Sequence, residues 1–97
     1  MARNDNVEIP RAVWTQLTNA NASAIRVQSV SATEMMLQAT NGVTAPSTLL
    51  GAIVLAGGNV LAADLTIAQL WPGVTGPNRV WAFANTATVA SVSHADA

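Results

Sequence analysis

Apolar and polar side chains alternate with a period of two in several short stretches of this chain. In residues 24–30, Ile25 and Val27 are separated by Arg26 and Gln28, the mark of a strand with one buried face. Residues 79–84 place Trp81 and Phe83 on one side of a second strand, and residues 87–93 supply a closing strand after the tight reversal at Asn85-Thr86. Residues 34–39 contain Glu, Met, Leu, Gln and Ala, all good helix formers. The segment is short and bounded by turn residues, which favours a strand, read here as the partner of 24–30.

The remaining elements follow from punctuation. Pro10 interrupts an N-terminal edge strand that resumes through Trp14 to residue 18, because proline in a sheet is confined to edges, strand starts and bulges. Asn19 to residue 23 is turn chemistry, and residues 40–48, with the Asn41-Gly42 turn pair and Pro46, read as a loop. The apolar stretches 49–56 and 60–63 flank Gly57-Gly58-Asn59, which suits a hairpin or a bulged corner. Asp64 is placed to cap a helical turn over 65–70, and Trp71-Pro72-Gly73 ends it. Seven or eight short strands at this spacing predict an all-β fold, a small antiparallel β-sandwich or jelly roll. The polar segment 1–11 is expected to form an N-terminal arm, flexible over residues 1–6, and 12–97 a single domain.

Composition changes this picture in one respect. Half of the residues are apolar, but 19 are alanines, and the larger apolar side chains number 30. Only nine residues are charged, against roughly 25% in an ordinary soluble chain. A surface so poor in charge is expected to be covered by copies of the chain or by a partner. Four scattered arginines and a net charge of −1 give no basic stripe for nucleic acid. The charge-free run 35–63 is broken by glycines, and its apolar core falls short of the ~20 residues that span a bilayer. The polar start of the chain has no apolar h-region, so synthesis and folding in a cytoplasm are expected.

Catalytic chemistry finds little support. The chain has no cysteine, so thiolate nucleophiles and thiolate metal sites are excluded. His94 lies near Ser91, Ser93 and Asp96 at what reads as a frayed terminus, and a nucleophile and its base need a rigid converging frame. No metal-ligand spacing and no phosphate-binding glycine loop is present, so no enzyme, metal or cofactor is expected.

Interface candidates are better defined. Trp14 and Trp81 read as packing residues, whereas Trp71, before Pro-Gly in a loop, reads as an exposed anchor for a neighbouring chain. The run 49–61 reads as a central strand buried on both faces that also serves an interface. The arm carries Arg3, Asp5, Glu8 and Arg11, and is expected to order on binding. Arg3, Arg11, Arg26 and Arg79 are candidate partners for acidic surfaces through carboxylate pairing.

The pieces Trp14-Thr15-Gln16-Leu17, Val27-Gln28, Thr44-Ala45-Pro46, Val80-Trp81-Ala82 and Ala87-Thr88-Val89-Ala90-Ser91-Val92-Ser93 together resemble a family of small virion proteins of tailed bacteriophages. The resemblance covers roughly residues 12–93, and the Trp-Pro-Gly insert within 64–78 departs from it. It implies a β-sandwich or jelly roll on the virion exterior, as a capsid cement (decoration) protein, head spike or tail-associated adaptor. The partner would then be the major capsid protein, with a homotrimer expected from the three-fold axes of a shell. A head-fibre or tail-tip adhesin binding cell-surface glycan is the alternative.

Overall fold

The computed structural model describes residues 2–96; Met1, assigned above to the arm, and Ala97 lie outside them. Eight strands and one helical turn follow in order: β1 (Arg3–Ile9), β2 (Thr15–Gln16), β3 (Arg26–Ser29), β4 (Met35–Thr40), β5 (Ile53–Leu55), β6 (Val60–Leu61), α1 (Ile67–Leu70), β7 (Arg79–Phe83) and β8 (Thr88–His94). They form two antiparallel four-stranded sheets, β1-β8-β3-β6 (sheet A) and β2-β7-β4-β5 (sheet B). The first and last strands pair, then the second and seventh, the third and sixth, and the fourth and fifth. A long antiparallel ribbon of four strand pairs is thus rolled up on itself, and the β3–β8 and β4–β7 ladders close the roll. This is a jelly roll, the all-β class read from the strand rhythm.

Three local expectations need correction. β4 does not pair with β3, because residues 30–34 carry the chain across to the opposite sheet; Asn85-Thr86 likewise links β7 in sheet B to β8 in sheet A. Residues 49–56 contribute only the short edge strand β5, with Val54 58% exposed, instead of a central strand buried on both faces. The helical turn is capped by Thr66, not Asp64. The Thr66 side chain accepts the Gln69 amide while the Gln69 side chain returns to the Thr66 N–H, a capping box.

Inside the sandwich, Ile9, Leu17, Ile25, Val27, Met35, Leu37, Ile67, Val80 and Val92 are sealed from solvent. Alanines at 39, 82, 84 and 90 belong to the same buried core, where each adds little side-chain volume. Ser29 is wholly buried and donates to the Thr33 carbonyl at 2.6 Å, which satisfies its hydroxyl.

Gly57, at the β5–β6 corner, touches the backbone of the β3–β4 crossing. A Cβ there would lie 2.3 Å from the Ala32 carbonyl carbon and oxygen. Gly57→Ala is therefore expected to destabilise the fold by about 3 kcal/mol, since main chain must move. Gly58→Ala meets open space and carries only the ~1 kcal/mol cost of its φ of +81°. Thermal melting of the two variants, with Gly57→Ala the lower by about 10 °C, checks this.

Candidate interaction surface

The two sheets treat their outer faces differently. In sheet A the burial of β8 alternates without exception, with Thr88, Ala90, Val92 and His94 inward and Val89, Ser91 and Ser93 outward. Cross-strand pairing places Asn4, Asn6, Glu8, Arg26 and Gln28 on the same outer face. That face is polar, as expected of a sheet with one side in water.

Sheet B breaks the rule. β4 reads Met35-Met36-Leu37 and β7 reads Val80-Trp81-Ala82-Phe83, apolar on both faces. Leu37 pairs with Ala82 and Ile53 on the inner side. On the outer side Phe83 pairs with Met36, Met36 pairs with Val54, and Trp14 stacks on Phe83 with ring centroids 5.3 Å apart at 51°. Trp14, Phe83, Met36 and Val54 therefore form one apolar row across the width of the sheet, about 14 Å at the usual strand spacing.

A second row lies beside it. Trp81 sits between Gln16 and Gln38, and its indole N–H donates to Thr40 Oγ1 at 2.8 Å. The Gln38 amide donates to the Leu50 carbonyl at 2.6 Å, which fixes the loop 41–52 over this end of the face. Leu50 is 81% exposed at the tip of that loop. Between Leu50 and Gly73 runs a groove of about 370 Å³, floored by Gln38 and Trp71. The charges nearest the row along the strands are Glu34, exposed just before β4 and two residues or about 7 Å from Met36, and Arg79, four residues from Phe83 along β7 or about 13 Å.

The anticipated interface residues are not brought together. Arg3 begins β1, where its guanidinium donates to the Leu17 carbonyl at 3.2 Å and lies 3.6 Å from the Asp5 carboxylate. Arg11 is exposed in the turn after β1. Arg26 lies on the outer face of sheet A, 3.4 Å from Ser91 Oγ, and Arg79 donates to Asn21 Oδ1 at 3.0 Å near the opposite sheet. The arm is a seven-residue strand paired along its full length with β8, so the reading of residues 1–6 as flexible is corrected for those described.

Trp71 is also corrected. It is 4% exposed and belongs to the core, because α1 ends there and turns the ring into the sandwich; its indole N–H donates to the Gly51 carbonyl at 3.2 Å. His94 is no frayed residue either. It closes β8, buried and inward, with Nδ1 3.0 Å from the Ala95 carbonyl, while Ser91 and Ser93 project from the other face of the strand. The strand itself separates this histidine from both serines.

The sequence reading placed Phe83 beside Trp81 on one strand face and Val54 in a run that serves an interface, but it missed Met36 and the joining of the three. The signal was the absence of polar alternation in β4 and β7, which in an antiparallel sheet implies cover on both faces. Comparison with family models, with curated proteins and with solved structures finds no match to this chain.

Proposed function

We propose that this chain is a structural assembly protein, a capsid cement or decoration protein of a bacteriophage virion. The observation that carries the reading is the outer face of sheet B, an apolar row of four side chains on a chain with only nine charges. Aromatic residues and methionine with no charge among them are the composition of an interface centre, not of a free surface. The resemblance of residues 12–93 to small virion proteins, and the use of jelly rolls in many capsid and lectin domains, support the same reading; a fold alone does not set a function. Binding only the assembled lattice would stabilise the shell by mass action.

The glycan-binding alternative draws less support, because Trp71, its best stacking residue, is buried. Purified protein added to expanded capsids that lack it should bind and raise their melting temperature by several degrees, measured by differential scanning fluorimetry. No binding to either mature or immature shells would sink the cement reading.

A further inference from the structure

The assembly function makes no use of the Asn41-Gly42 pair. Of the eight asparagines in the chain, Asn41 is the one followed by glycine. We propose that Asn41 is a site of spontaneous deamidation, and that the turn 75–78 sets its rate by holding the pair apart. The Gly42 backbone nitrogen loses its proton to solvent and attacks Asn41 Cγ. A C–N bond forms, the Cγ–Nδ2 bond breaks, and the amide takes a proton from water and leaves as ammonia. Water then opens the cyclic imide at either carbonyl, which gives an aspartyl or an isoaspartyl residue. Glycine suits the attacking position because no side chain shields its nitrogen, and the space where a Cβ would stand at Gly42 is open. Asn41 is exposed, so water reaches it.

In the folded chain both reacting groups are engaged. The Gly42 N–H donates to Asn78 Oδ1 at 2.9 Å, and Asn41 Nδ2 donates to the Thr75 carbonyl at 3.2 Å. Attack breaks the first bond, and departure of ammonia breaks the second. Asn78 is a fixed acceptor: its own N–H donates to the Thr40 carbonyl at 2.9 Å, and its carbonyl accepts from the Ala22 N–H at 3.0 Å. The Thr40 hydroxyl adds a further tie, donating to the Gly42 carbonyl at 2.9 Å. Cyclisation therefore proceeds from the fraction of molecules in which the turn has opened, as amide exchange does. The product cannot rebuild the contact. A carboxylate offers no donor to the Thr75 carbonyl, and an isoaspartyl linkage lengthens the main chain between Thr40 and Gly42. It also puts a negative charge into the run 35–63, which otherwise has none.

Tryptic peptide mapping by mass spectrometry tests this. The chain has no lysine, so Arg26 and Arg79 bracket one peptide, 27–79, whose fragments separate Asn41 from Asn59 and Asn78. In mildly alkaline buffer Asn41 of the folded protein should deamidate at least ~10-fold more slowly than in the same chain unfolded in guanidinium chloride, the protection expected of two hydrogen bonds of about 1 kcal/mol each. Asn78→Ala removes the acceptor and should raise the folded rate several-fold. Asn78→Asp keeps an acceptor and should hold it near the wild-type rate. Asn41 that stays intact in the unfolded chain, or that reacts equally fast folded and unfolded, overturns the proposal. So does a folded Asn78→Ala variant with the wild-type melting temperature and the wild-type rate. Should Asn78→Ala fail to fold, hydrogen exchange of the wild type decides: a Gly42 N–H that exchanges as fast as an unstructured amide overturns the role of the turn, and a protected one supports it.

Discussion

Trp71→Ala should lower the stability of the isolated protein by about 3–5 kcal/mol, the cost of emptying a large aromatic site in a closed core. For a chain of this length each kcal/mol shifts the melting temperature by about 4–8 °C, so a fall of roughly 15–30 °C is expected. The ring sits where α1 closes one end of the sandwich. Its own N–H is bound to the Ile67 carbonyl, and Ile67 is wholly buried in the same core cluster. The indole N–H holds the Gly51 carbonyl, which ties the loop 41–52 to the same end. Gly51 is exposed and water can replace that bond, so most of the loss comes from the cavity. Trp71→Phe should recover a large part of it. Circular dichroism melts at two protein concentrations decide the matter: a core residue gives the same loss at both, whereas an interface anchor leaves the dilute protein unchanged.

The legible part of this fold is the part whose two faces meet different solvents. β3 and β8 alternate because sheet A has one wet side, and Ile25, Val27, Ala90 and Val92 could be assigned inward from period alone. The strand character of Met35–Thr40 was legible from length and flanking turns in spite of its helix-forming residues. Strand partners were not. Residues 30–34 and Asn85-Thr86 carry ordinary turn chemistry, which specifies a reversal but not whether the next strand lies beside its predecessor or on the opposite sheet. Trp71 shows the same limit, because Trp-Pro-Gly reads as a loop tip and only the third dimension shows the loop folding its ring inward. The face of sheet B was present in the sequence as missing alternation. Its meaning depends on Phe83, Met36 and Val54 standing in register, which only the ladders reveal.

Removing residues 2–9 should abolish the cooperative thermal transition of the remaining chain. An arm that orders only on binding could be cut without effect, but β1 forms a ladder of seven residue pairs with β8. Its inward positions are part of the core: Ile9 is 1% exposed and Val7 packs against the buried cluster. Arg3 bonds to the Leu17 carbonyl beyond β2, a link from the edge of sheet A to the segment that follows sheet B's first strand. Burying the Ile9 side chain contributes about 1.5–3 kcal/mol, and each ladder bond adds a further ~1 kcal/mol before the entropy of ordering the strand is subtracted. The net loss is comparable with the ~5–15 kcal/mol that holds a domain together, and the bared edge of β8 invites association with other chains. Point changes separate the contributions. Ile9→Ala should cost about 2–5 kcal/mol, whereas Asn4→Ala and Asn6→Ala, on the outer face, should stay within about 0.5 kcal/mol. A truncated chain that melts within about 2 °C of the full protein, with Ile9→Ala equally silent, would return β1 to the status of a free arm. The expected loss instead makes the segment richest in charge a fixed strand, so its ionic groups act from set positions on the edge of sheet A.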